Sequence, residues 1–182
     1  MKRIFLTLAV TACALLITSV VFGLNIGDAK TAEASSQVGT HMLIGLAALT
    51  FSILVHAISL TYFMGTGRWI EETSTAYSLG DSLYQQSQKI KYGTLPGMTC
   101  CVLLLISTGG FGAVADPATQ ISLDGFLGLT SAQIHFIMAM LTALANVLVN
   151  FSQYFAIARN TQVVEAVLAE VQRIRSERGL PT

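Results

Sequence analysis

The stretch from Met42 to Met64, MLIGLAALTFSILVHAISLTYFM, contains no Asp, Glu, Lys or Arg. A helix needs about 20 such residues to cross the roughly 30 Å hydrocarbon layer of a bilayer, so this segment has the length and composition of a membrane span. Three others share its character: Ile4 to Leu24, Leu95 to Ala115 and Ala132 to Ala158, all without a charged side chain. Strands of a membrane barrel would alternate polar and apolar residues in runs of roughly ten, whereas these runs are unbroken. The expected fold is an all-α membrane protein, a single four-transmembrane-helix bundle spanning residues 1–182.

Composition agrees with that reading. Of 182 residues, 53% are hydrophobic and 11% charged, and the mean hydropathy is +0.64. A soluble domain carries about 25% charged residues, so the composition argues against a soluble enzyme, and disorder is excluded by the high hydrophobicity. Ten basic residues balance ten acidic ones, leaving no net charge to attract nucleic acid. Cys13, Cys100 and Cys101 all lie within apolar runs and cannot build a secreted disulfide framework.

Orientation follows from the basic residues. Lys2, Arg3, Arg68, Lys89, Lys91, Arg159, Arg173, Arg175 and Arg178 would lie on one side of the membrane, with only Lys30 on the other, beside Asp28, Glu33, Asp116 and Asp124. Both termini are therefore expected in the cytoplasm, and the bias fits a bacterial plasma membrane. Lys2 and Arg3 before an apolar run also resemble a signal peptide, and Val10-Thr11-Ala12-Cys13 a lipoprotein cleavage box. The apolar run continues past Cys13 to Leu24, longer than the 7–15 residues of a cleaved signal, so the first helix is expected to be retained.

The segments on the cytoplasmic side are expected to be helical too. Val163, Val164, Val167, Leu168, Val171 and Ile174 recur at helical spacing, with Glu165, Glu170, Arg173 and Glu177 between them. No Gly or Pro interrupts Ala132 to Arg178, so span four should continue as one helix, with 159–182 as an amphipathic extension stopped by Gly179 and Pro181. Within the loop 66–93, Arg68–Leu79 and Asp81–Tyr92 form two further breaker-free pieces around Gly80, with Trp69, Ile70, Tyr77, Leu83 and Tyr84 as an apolar face. These pieces are expected to pack together beneath the membrane; the alternative is a C-terminal helix lying flat on the headgroups. Tyr62, Phe63, Trp69, Tyr154 and Phe155 read as an aromatic belt at that boundary. No internal repeat is evident.

Polar groups inside a membrane are costly and are functional candidates by default. The absence of an intramembrane carboxylate or cation argues against a proton-coupled transporter. What remains is His41, His56 and His135 with Asn146, Asn150 and Gln153. His41 and His135 open spans two and four, which run inward from the same face, so the two lie at similar depth. His56 and Asn150 follow fifteen residues later on their helices, about 22 Å of rise and about 60° of residual rotation, so a second His/Asn pair is expected deeper, bonded inside the bundle to Asn150 or Ser52. Two histidines at one depth on facing helices are the arrangement for bis-histidine ligation of a b-type haem. Gly45, Gly109, Gly110 and Gly112 fall in the same layer and would leave room for the macrocycle.

Other motifs read as structure. Gly65-Thr66-Gly67-Arg68 lacks the phosphate-loop pattern, Cys100 and Cys101 diverge by about 100°, and a zinc site joining Asp116 or Asp124 to His41 or His135 is the weakest of the metal readings. No catalytic constellation is present. Three functions compete: a non-catalytic accessory subunit of a larger membrane assembly; a cytochrome b-like electron-transfer subunit with haem between His41 and His135; and a small transporter or oligomeric pore lined by His56, Asn146, Asn150 and Gln153. All three imply the lipid bilayer and other membrane subunits or further copies of the chain as partners.

Overall fold

The computed structural model describes residues 1–27, 31 and 34–180; Asp28, Lys30, Glu33 and Pro181 lie outside them. Four α-helices follow one another: α1 (Lys2–Leu24), α2 (Ala34–Tyr77), α3 (Ser82–Ala115) and α4 (Ser131–Glu177), with a short 3-10 turn at Phe126–Gly128. No strand occurs among the described residues. All four helices are long and apolar enough to cross a membrane.

Two of them exceed a bilayer. At 1.5 Å per residue the 44 residues of α2 and 47 of α4 reach about 66 and 70 Å, twice the hydrocarbon thickness. α3 also begins thirteen residues before Leu95, running through Pro96. The extensions are therefore continuous with the spans rather than separate helices in a loop. Backbone chemistry sets their ends. Ser78 takes the left-handed conformation (φ 56) while the Leu79 N–H donates to the Ser74 carbonyl at 3.0 Å, and Gly80 (φ 76) completes the turn into α3. Gly179 (φ 65) closes α4, with the Leu180 N–H on the Arg175 carbonyl at 2.9 Å.

At the other end, Thr130 caps α4: its hydroxyl accepts from the Gln133 N–H at 3.2 Å and the Gln133 side chain accepts from the Thr130 N–H at 2.9 Å. Asp124 Oδ1 accepts from both the N–H and the hydroxyl of Ser131 at 2.7 and 2.9 Å, and Asp116 Oδ1 accepts from the Ala118 N–H at 2.9 Å. Both carboxylates of the α3–α4 loop thus shape the loop.

Each helix packs against its neighbours in chain order, and α1 closes on α4. α2 and α4 also touch across the bundle, whereas α1 and α3 do not meet. This makes α2–α4 the short diagonal and α1–α3 the long one. Phe5, Ala9, Ala12, Val55, Phe63, Ala156 and Ile157 form the main core; Phe63, expected in the aromatic belt, is 1% exposed and belongs to it. Below it, Ile70, Val163 and Val167 pack together with Leu79, Leu83, Tyr84 and Val171, so the helical extensions bury their apolar faces against one another. Outward-facing Leu43, Leu46, Leu103, Ile106, Leu144, Leu148 and Phe151 are exposed, a surface a soluble monomer rarely carries and a lipid belt requires.

Candidate functional site

Two polar layers lie on the bundle axis. The first is at the end where α1 and α3 finish and α2 and α4 begin. His41 and His135 meet there, with ring centroids 6.0 Å apart and ring planes inclined by 72°. Each ring rests on a glycine of a neighbouring helix. A Cβ on Gly23 of α1 would stand 2.9 Å from His41 Cε1, and a Cβ on Gly112 of α3 would stand 3.0 Å from His135 Cε1. Any larger residue at either position would displace the ring. All four helices therefore contribute one member of a single layer: Gly23, His41, Gly112 and His135.

One hydrogen bond in this layer fixes the tautomer of His41. His41 Nδ1 lies 3.0 Å from the Ser19 backbone carbonyl. A carbonyl only accepts, so Nδ1 carries the proton, and in the neutral ring Nε2 is the nitrogen with the lone pair. That is the tautomer of a metal-ligating histidine whose second nitrogen is tied to a carbonyl. The His135 ring is paired with the Thr108 backbone, although its buried Nδ1 makes no hydrogen bond of good geometry. A groove of about 240 Å³ lined by Phe22, Asn25, Ser36, Gln37 and Thr40 opens beside the layer.

The second layer is deeper. His56 Nε2 lies 3.0 Å from Asn146 Oδ1, and Gln153 Nε2 lies 2.8 Å from His56 Nδ1. The ring donates through Nε2 and accepts through Nδ1, so both nitrogens are occupied. Asn146 passes its own amide proton to the Thr142 carbonyl at 2.9 Å, and the Thr142 hydroxyl lies 2.6 Å from that of Thr108. Nearer the terminal end, Asn160 bonds Thr66 at 2.8 Å and accepts from Ser87 at 2.9 Å. Asn150 stands apart from His56: its amide donates to Cys13 Sγ at 3.8 Å and its Oδ1 is buried without a partner.

Set against the expectations, the structure brings His41 and His135 together but gives His56 to Asn146 and Gln153 rather than Asn150 or Ser52. The glycines divide. Gly45 faces Ser19 Oγ and Gly109 faces Leu49, so both serve close helix packing, while Gly110 is exposed with nothing near it. Gly112 is against a histidine ring as the layer requires. Gly23 escaped the sequence reading; its only signal is position, one residue before the end of span one at the depth of His41. No group of three or more His, Cys, Asp or Glu gathers to hold a metal ion among the described residues. No protein family, curated protein or solved structure matches this chain.

Proposed function

We propose that this protein is a membrane-integral electron-transfer subunit that holds a b-type haem between His41 and His135. The observation that carries the reading is the separation of the two imidazoles. Two rings that coordinate one metal from opposite sides, at about 2 Å per metal–nitrogen bond as in imidazole–zinc sites, have centroids about 6 Å apart; these lie at 6.0 Å. The histidines stand on the short α2–α4 diagonal. His41 and His135 would hold the group between α2 and α4, with Gly23 of α1 and Gly112 of α3 seating the two rings.

Haem supplies one-electron redox chemistry. With His41 and His135 both holding it, the group would serve electron transfer rather than substrate chemistry. The protein's part is to hold both rings in place, to keep the Nδ1 proton of His41 on the Ser19 carbonyl, and to exclude water with lipid-facing helices. An electron carrier needs a donor and an acceptor, so the accessory-subunit reading persists within this one: the chain works as a subunit of a membrane assembly. The excess of basic residues at the end that bears Lys2 and Glu177 supports cytoplasmic termini and insertion in a bacterial plasma membrane.

The test is a visible spectrum of the protein purified in mild detergent after expression with added haem precursor, oxidised and then reduced with dithionite. A red protein with near-stoichiometric haem is expected, and His41→Ala and His135→Ala should each abolish the reduced bands. A colourless wild type, or bands that survive both substitutions, overturns the assignment.

A further inference from the structure

The buried faces of the four helices carry a register that the linear sequence conceals. Each of the four buried residues of α1, Phe5, Ala9, Ala12 and Leu16, falls 89 residues before a buried residue of α3: Thr94, Met98, Cys101 and Leu105. The same offset superposes Ser19-Val-Val-Phe-Gly23 on Thr108-Gly-Gly-Phe-Gly112. Between α2 and α4 the offset is 94. It superposes His41 on His135, Leu54-Val55-His56 on Leu148-Val149-Asn150, and buried Ala48, Ser52, Ser59 and Phe63 on buried Thr142, Asn146, Gln153 and Ile157. The halves α1–α2 and α3–α4 are thus two copies of one helical hairpin facing each other across the bundle. The repeat is hidden from a sequence reading because 18 residues separate Gly23 from His41 and 23 separate Gly112 from His135, so no single offset aligns both helices.

The site of the preceding section follows the same rule. In the first hairpin the Ser19 carbonyl holds His41 Nδ1 and Gly23 seats the ring. In the second, Gly112 seats His135 in matching fashion, with Cε1 nearest in both cases and Nδ1 next. The Thr108 carbonyl, one turn before Gly112, corresponds to the Ser19 carbonyl, and the His135 ring is paired with the Thr108 backbone at a geometry too loose for a full hydrogen bond at Nδ1. Resting on the haem reading, we infer that the cofactor is bound by two equivalent half-sites, one per hairpin, each made of a Ser or Thr carbonyl, a glycine seat and one histidine. Gly23 and Gly112 are the paired positioning residues, and the Thr108 carbonyl is the acceptor for His135 Nδ1–H, a bond that tightens when the site is loaded. A ligand in such a site must offer two opposed, equivalent coordination positions. The iron of a tetrapyrrole does; a tetrahedral metal ion, needing two further protein ligands, does not. The deeper layer is where the copies diverged, since His56 in one corresponds to Asn150 in the other.

Equivalence is testable by paired substitution in the full-length protein. Loss of an outer positioning group lowers metal affinity about 10- to 100-fold, so Gly23→Ala and Gly112→Ala should each reduce haem occupancy at limiting haem by about tenfold or more, within threefold of one another. Haem that remains should show reduced bands and a midpoint potential displaced in the same direction in both variants. Gly110→Ala should match the wild type in all three readouts. Should an alanine variant fail to accumulate, His41→Met and His135→Met provide the second pair, and equivalent half-sites give the same spectrum from either. A wild type that binds haem while one glycine or methionine variant is silent and its counterpart is not overturns the half-site assignment alone. A wild type without haem overturns the haem reading, and this assignment falls with it.

Discussion

His41 and His56 sit fifteen residues apart on one helix, both turned toward the bundle axis, and their nitrogens meet different surroundings. His56 has Asn146 at one nitrogen and Gln153 at the other, so its ring is a structural strut between α2 and α4. His41 has a single bond, to a backbone carbonyl, and faces a second histidine with a separation that one metal ion would span. The contrast gives a physical criterion for telling a ligand from a strut inside a membrane. A buried polar ring satisfied at both ends has no capacity left for a cofactor. A ring bonded at one end only, opposite a like partner, keeps its other nitrogen free for one. The outer layer also meets glycines where the deeper layer meets amides.

The largest expected effects separate the two layers directly. His41→Ala or His135→Ala should remove all bound haem, read as loss of the reduced absorption bands, while His56→Leu should leave haem content unchanged. Loss of haem on His56→Leu in a well-folded preparation would break the distinction. His56→Leu should instead destabilise the protein, because it removes two hydrogen bonds and leaves the Asn146 oxygen and the Gln153 amide nitrogen unpaired in an apolar interior. Bonds between membrane helices contribute about 0.6–1.7 kcal/mol each, so a loss of about 1–3 kcal/mol is expected in detergent-titration unfolding. Within the same polar column, Thr142→Val should cost about 1 kcal/mol through its bond to Thr108. Asn150→Leu should be close to neutral, since its oxygen has no partner and its amide has only a long contact with Cys13 sulfur. An Asn150→Leu variant as unstable as His56→Leu would show that Asn150, not His56, anchors the column.

Much of this arrangement was legible from the residues, and the rest was not for identifiable reasons. Charge-free runs of membrane length give four helices directly, because lipid tolerates no unpaired backbone. The meeting of His41 and His135 follows from depth, a quantity that counting residues supplies. His56 defeated the same counting. Asn150 matches its depth, yet the two nitrogens of an imidazole point along the helix axis as well as across it, and they reach the amides one turn above and one turn below. Phe63 looked like a boundary aromatic by position, but helical phase turns it inward onto Phe5 and Ile157. Gly23 was invisible because a glycine in a span has no distinguishing neighbour until the opposite helix is placed against it. The hairpin repeat was invisible because a longer α3–α4 connection shifts the frame between its two helices.

The terminal end of the bundle offers a smaller comparison between its two closing turns. Gly179 ends α4 in the left-handed conformation that glycine adopts without steric cost, while Ser78 ends α2 at φ 56 with a side chain in place. A side chain in that region costs about 1 kcal/mol, so Ser78→Gly should raise stability by roughly 0.5–1 kcal/mol and leave any bound haem untouched. A destabilised variant would mean that the Ser78 side chain makes a contact that outweighs its backbone strain.

The faintest expected effect lies on the last turns of α4, where Arg173 bridges Glu170 and Glu177. The hydrogen bond from Arg173, with its charge, holds the Glu170 carboxyl below the ordinary glutamate range. A carboxyl whose folded pKa is depressed stabilises the fold above its unfolded value, and that contribution is lost as pH falls through the folded one. The wild type should therefore lose a small part of its thermal stability between about pH 5 and pH 3, around and below the unperturbed glutamate pKa of about 4.3. Arg173→Gln should flatten that part of the profile. All three side chains are exposed, so the difference should be small and should shrink further in high salt, as expected for solvent-screened pairs. An Arg173→Gln profile that keeps the full acid-side slope would place the slope elsewhere. The triad would then be a set of contacts made by an already stable helix, held in place by Val163 and Val167 one to two turns earlier.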